Sequence, residues 1–109
     1  MIRRISKNND LLDVIKSCPG GVIDDITSIR YFIDGRPDVE IEPTFSKVCK
    51  HLQVVIPSEM LWLLSDGVLM RRALYSVADE SYPDGHYNLE FVDALDVWIG
   101  DDNDQGDSD

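Results

Sequence analysis

The stretch FVDALDVWIG, from Phe91 to Gly100, alternates apolar residues with acids and decides how the end of the chain folds. In a strand, side chains alternate between two faces. One face would then be apolar apart from Asp93, and its members are Leu89, Phe91, Leu95, Val97 and Ile99. The other face would carry Glu90, Val92, Ala94, Asp96 and Trp98. A helix would give only the stripe Phe91, Ala94, Leu95 and Trp98, so the pattern favours a strand with a possible break near Asp93.

Working towards the N-terminus, turn residues separate further predicted strands. Tyr82–Gly85 is a turn sequence, and residues 74–77 before it favour a strand. Residues 28–33 are rich in β-branched and aromatic side chains, which favours a strand, although helical spacing also fits this segment. The turn sequence at 35–38 then leads to residues 39–42, which alternate apolar and acidic side chains. We therefore expect a hairpin over residues 28–42.

Three segments have the spacing and boundary residues of helices. The first begins at Asn9 or Asp10, which suit an N-cap, and ends at Cys18 before Pro19-Gly20-Gly21. The second opens at Pro43-Thr44 and runs to Leu52. The third follows Pro57 and covers 58–65, before Asp66-Gly67 ends it. The sequence thus predicts three helices.

These elements predict an α+β fold, a single small domain with three or so helices packed on a mainly antiparallel sheet. The chain has 109 residues, of which 43% are hydrophobic, and this suits one core. We expect residues 1–100 to form the globular domain and residues 101–109 to be a short, acidic, flexible C-terminal tail. No apolar stretch approaches the ~20 residues of a membrane span, and no signal peptide is evident. The predicted location is the cytoplasm.

A local motif resembles a known family. The stretch FSKVCKHLQVVIPSEMLWLLSDG, Phe45–Gly67, resembles the core signature of the SUKH superfamily, and the matching residues are Leu52, Val54, Ile56, Pro57, Leu61, Leu64, Asp66 and Gly67. The resemblance covers 23 of 109 residues. It implies an α+β domain and membership of a group in which many proteins are bacterial immunity proteins that block nuclease or deaminase toxins.

No catalytic or metal-binding pattern stands out. The chain lacks a phosphate-binding glycine loop and the common hydrolase and metalloprotease motifs. His51 follows a lysine-rich helix face and is expected to be solvated, and His86 sits beside Asp84-Gly85 in a predicted turn, where general-base geometry would be accidental. Cys18 and Cys49 fit no disulfide framework or zinc spacing, so we expect reduced, inert thiols. The sequence predicts no enzyme activity, metal or cofactor.

Charge is the strongest functional signal. The net charge is −11, and residues 51–109 hold thirteen acids against two bases. Such a field repels nucleic acid and anionic membranes and attracts basic proteins, although acids also simply keep a small protein soluble. Aromatic residues among the acids could anchor a partner. The predicted partner-binding residues are Asp79, Glu80, Tyr82, Asp84, Tyr87, Glu90, Asp96, Trp98, Asp101 and Asp102.

The charge pattern and the resemblance lead to one functional hypothesis. We expect a small inhibitory binding protein, an immunity protein that neutralises a basic, nuclease-type toxin by covering its active site. It would bind neither nucleic acid nor a membrane directly. The alternatives are an acidic adaptor or regulatory subunit that docks a basic partner, and a DNA mimic that inhibits DNA-binding proteins.

Overall fold

The computed structural model describes residues 3–16, 25–48 and 51–100, and about two thirds of them lie in β-strands. Within them, eight strands form two sheets, and one short helix connects the sheets. The elements are β1 Arg3–Ser6, β2 Leu11–Ile15, β3 Ile26–Ile33, β4 Arg36–Ile41, β5 Phe45–Val48, β6 His51–Ile56, α1 Ser58–Leu61, β7 Gly67–Ala78 and β8 His86–Gly100. The predicted tail, residues 101–109, and the two cysteines lie outside the described residues.

The predicted α+β class with three helices is therefore wrong. The first predicted helix contains strand β2, because Leu11 and Ile15 share a face in a strand as well as in a helix. The segment expected to be a helix up to Leu52 is instead β5 and the start of β6, which pair as an antiparallel hairpin. The third helix is reduced to the single turn of α1.

The larger sheet has the order β1-β8-β7-β3-β4. The hairpin predicted over residues 28–42 is confirmed, since β3 and β4 are antiparallel. The final segment is also the predicted strand, and it pairs antiparallel with β7 from Gly67↔Ile99 to Ala78↔His86. The expected break is a bulge in which Asp96 has φ 57°, slightly beyond Asp93. Strand β1 lies parallel to β8 at the sheet edge.

The smaller sheet has the order β2-β6-β5 and covers one face of the larger sheet. Its buried side chains, Leu11, Ile15, Leu52, Val54 and Ile56, belong to one core with residues of the larger sheet, among them Ile29, Tyr31, Ile33, Leu69, Val97 and Ile99. As expected of facing sheets, inward apolar positions alternate with outward ones. The domain is held together by this core.

A buried lysine closes the core where α1 meets β7. The side chain of Lys7 is only 4% exposed, and its Nζ donates to the carbonyl of Leu64 at 2.6 Å and pairs with Asp66 at 2.6 Å. The backbone amide of Lys7 donates to Gly100 at 2.9 Å. The ammonium thus satisfies the carbonyl of Leu64 in the connection between α1 and β7.

Candidate protein-binding hairpin

The β7–β8 hairpin continues beyond the core and ends in a well-defined turn. The amide of Asp79 donates to Gly85 at 2.9 Å, and the amide of Gly85 donates to Tyr82 at 2.9 Å. Gly85 has φ 81°, a conformation that glycine adopts without steric cost. The Asp84 carboxylate accepts a bond from the amide of His86 at 3.0 Å. These bonds hold the tip in one shape.

Asp79 fixes the other side of this turn. Its Oδ1 accepts bonds from the amide and the hydroxyl of Ser81, at 3.0 and 2.7 Å. The two hydrogen bonds, the hydroxyl first, lower the pKa of Asp79, because they stabilise the ionised form. Asp79 therefore carries a negative charge at neutral pH and also organises the backbone of the tip.

Two tyrosines stack at this tip. The rings of Tyr82 and Tyr87 are nearly parallel, at 5°, with centroids 5.2 Å apart, and the residues remain 43% and 40% exposed. They border an open cavity of about 530 Å³ that is also lined by Pro83, Asp84, His86 and Asn88. A rigid, exposed aromatic pair beside a cavity is a typical anchor for another molecule.

The outer part of the hairpin, residues 76–90, is acidic. It contains four acids, Asp79, Glu80, Asp84 and Glu90, and no lysine or arginine. With the two tyrosines, the fold thus brings six of the predicted partner-binding residues onto this outer part. Glu90 differs from the others because it pairs with Arg72 at 2.9 Å, at the base of the hairpin. The acids nearer the tip have no such ion pair among the described residues.

The remaining predicted partner-binding residues do not join the tip. Asp96 lies at the β8 bulge, where its left-handed conformation matters to the backbone. Trp98 is partly covered by Arg4, whose guanidinium carbon is 4.6 Å from the ring centroid. Asp101 and Asp102 lie outside the described residues. The candidate site is therefore the hairpin tip, defined by residues 79–87.

A buried ion cluster between the two sheets was not predicted. Asp13 of the small sheet accepts two bonds from Nη1 of Arg71, at 3.1 and 2.8 Å, and one from the hydroxyl of Tyr31, at 2.5 Å. Arg71 also donates to Asp93 at 2.9 Å. The side chains of Asp13 and Arg71 are only 12% and 16% exposed, whereas that of Asp93 is 57% exposed.

The pKa values of Tyr31 and Arg71 are both raised. Burial, and then the charge of Asp13, raise the pKa of Tyr31 well above its usual range. Burial would lower the pKa of Arg71, but the carboxylates of Asp13 and Asp93 outweigh it and raise that pKa. Tyr31 and Arg71 therefore keep their protons at neutral pH, and the hydrogen bonds from Arg71 of β7 to Asp13 of β2 join the two sheets. A cavity of about 120 Å³ lies beside it, between Ile15 and Phe91.

One signal in the sequence could have revealed the cluster. Asp13 interrupts LLDVI, Arg71 interrupts the apolar face of β7, and Asp93 is the single acid on the apolar face of β8. Each of the three breaks the alternation of its strand on the face that points to the other sheet. Charged residues in such positions are stable only when paired, so three separate interruptions predict one shared cluster.

Comparison of the chain with protein families, curated proteins and solved structures finds no match. A relationship to the SUKH superfamily therefore stays a prediction, although the α+β fold it implies is wrong. Among residues 3–16, 25–48 and 51–100, no helix has the length and apolar character needed to cross a membrane.

Proposed function

We propose that this chain is a small acidic binding protein that docks a basic partner protein through the tip of its β7–β8 hairpin. The observation that carries the proposal is the tip itself, where three acids surround two stacked, exposed tyrosines on a turn fixed by its own hydrogen bonds. The three acids are Asp79, Glu80 and Asp84, and all three lie in the turn that joins β7 to β8.

The physical chemistry of association favours this site. Unpaired surface acids accelerate the encounter with a basic partner, by about ten- to a thousandfold at low salt. Tyrosine is among the residues that most often dominate binding energy at interfaces. A turn already held in place loses little conformational entropy on binding. Charge would therefore govern the encounter, and Tyr82 and Tyr87 would govern the lifetime of the complex.

The shape of the site favours inhibition as the outcome of docking. A two-stranded hairpin is narrow enough to enter a groove, and enzymes that cleave nucleic acids have basic grooves that bind phosphates. We therefore propose a cytoplasmic immunity protein that covers the active site of a nuclease-type toxin. An adaptor would use the same tip without blocking catalysis. A DNA mimic has less support, because the stacked tyrosines beside the acids of the tip favour docking by an anchored turn over imitation of a phosphate backbone.

The test compares charge reversal at the tip with the same change elsewhere. Glu80 is exposed at the tip, and Glu59 is exposed in α1, beyond the opposite end of β7. The partner is first identified by affinity capture and mass spectrometry. We expect Glu80→Lys to weaken the affinity for this partner by about tenfold or more. Glu59→Lys should bind the partner with an affinity close to that of the parent chain.

Two further measurements decide between the forms of the proposal. The affinity for the partner should fall steeply as the salt concentration rises. An affinity that does not change with salt contradicts docking by the acidic tip. Equal effects of Glu80→Lys and Glu59→Lys on binding contradict it as well. If the partner is a nuclease, its activity should fall in proportion to the complex formed. Binding that leaves the activity intact would instead identify an adaptor.

A further inference from the structure

We infer that the cavity at the hairpin tip recognises an arginine side chain of the partner. This inference rests on the proposed function and specifies the chemistry of its contact. This cavity is an open surface depression, and Tyr82, Tyr87 and Asp84 are among the residues that line it. Aromatic faces and a carboxylate together match a planar cation better than any neutral or anionic group.

The stacked rings favour arginine over lysine. Tyr82 and Tyr87 lie at 5° to each other, so they present one flat surface on which a third planar group can continue the stack. A guanidinium is planar and weakly hydrated and stacks on aromatic faces, whereas an ammonium is compact and strongly hydrated. Cation–π attraction at exposed sites contributes about 0.5–1 kcal/mol.

Asp84 supplies the charge at a fixed position. Its Oδ1 accepts the amide of His86 at 3.0 Å, which orients the carboxylate at the wall of the cavity. Among the described residues, its second oxygen accepts no hydrogen bond. A guanidinium stacked on the rings would place N–H donors along its own edge, where a carboxylate oxygen can accept a charge-assisted bond.

The test uses two peptides that differ only in the cation. The isotope-labelled chain is titrated, with NMR detection, with a short peptide of alternating glycine and arginine, and separately with its glycine–lysine counterpart. We expect saturable shifts at Tyr82, Asp84 and Tyr87. The arginine peptide should bind more tightly, by up to about fivefold, because the whole cation–π contribution sets the upper limit of the difference from lysine. Tyr87→Leu and Tyr82→Leu should abolish the preference.

Control variants separate this inference from a loss of structure. Tyr87→Phe keeps the ring and should keep the preference, and Asp84→Asn should weaken both peptides while the turn signals of the spectrum persist. Equal affinity for the two peptides, or a preference that survives both leucine variants, overturns arginine recognition. If Glu80→Lys still weakens both peptides in that case, the acidic docking tip stands without the arginine site. If neither peptide binds at all, arginine recognition is overturned, and docking by the tip is then decided by the partner's response to Glu80→Lys.

Discussion

Replacing Asp13 with alanine tests whether the buried ion cluster joins the two sheets. The substitution removes both acceptors of Arg71 Nη1, at 3.1 and 2.8 Å, and the acceptor of the Tyr31 hydroxyl. Arg71 is only 16% exposed, so water does not readily replace the lost carboxylate. Breaking a buried ion pair on one side costs about 3–5 kcal/mol. Because Arg71 keeps Asp93, we expect a loss of about 3 kcal/mol.

Urea unfolding, followed by tryptophan fluorescence, measures this loss. With a slope of about 1–3 kcal/mol per molar urea, the midpoint should fall by about 1–3 M. The matched control is Asp93→Ala, which removes the exposed partner of the same guanidinium and should cost at most about 1 kcal/mol. If both variants lose the same small amount, the cluster does not hold the sheets together, and the reasoning from burial is refuted.

Three further predictions concern the same framework. Because the pKa of Tyr31 is raised, its contribution to folding stability should be fully present below about pH 10 and should fall as the pH rises further, by up to about 1.4 kcal/mol per pH unit. Tyr31→Phe should remove this part of the pH dependence of the free energy of unfolding, measured by urea titration. An unchanged pH dependence in the variant would contradict the prediction. In Gly67→Ala the new Cβ would lie 2.7 Å from Ile33 Cγ2, and the backbone at position 67 has φ 152°. We therefore expect a destabilisation of about 1–3 kcal/mol, measured by thermal melting. A neutral effect would mean that the close contact relaxes. Asp96→Val should lower the free energy of unfolding by about 1–2 kcal/mol, because a β-branched residue disfavours the left-handed conformation of position 96. Asp96→Gly should not lower it. Equal stability of the two variants would contradict this backbone geometry.

The structure also changes how charge variants should be chosen. Glu90 and Asp96 are acids of the predicted binding face, but reversing Glu90 breaks its pair with Arg72, and any bulky residue at Asp96 strains the bulge. A loss of binding in either variant would mix a local structural effect with a loss of contact. Glu80 is the cleaner position, since it is exposed and has no ion pair among the described residues.

The parts of the fold that the sequence predicted are those where composition or alternation favoured strands. Residues 28–33 are rich in β-branched and aromatic side chains and the final segment alternates, and both form the expected strands. The strand at 74–77 was also found, as part of the longer β7. In β2, however, the buried acid Asp13 hides the period of two and leaves Leu11 and Ile15 at a spacing that also suits a helix. A charge paired across the core is invisible to local patterns, because its partner lies far away in sequence.

The β5–β6 hairpin was missed for a different reason. Strand β5 is an exposed edge strand of four residues, so burial imposes no alternation on it. Its residues combined with Leu52 of β6 into an accidental helical spacing. The candidate site was easier to anticipate: the acids and tyrosines of residues 79–90 are close in sequence, and a hairpin keeps them close in space. Asp96 and Trp98 were wrongly grouped with the residues of the tip, because the sequence reveals neither the β8 bulge at Asp96 nor the contact of Arg4 with the Trp98 ring.

The parallel pairing of β1 with β8 sets the order in which this protein can fold. Arg3 pairs with Val97 and Ser6 with Gly100, so the first strand has no native partner until almost the whole domain has been synthesised. Contacts so distant in sequence form slowly, and until β1 docks, the outer edge of β8 is an open template for another strand. Between the synthesis of β8 and the docking of β1, the chain therefore has a free strand edge that can pair with another copy of the chain. The exposed arginines of β1, Arg3 and Arg4, place charge on that edge only once folding is complete.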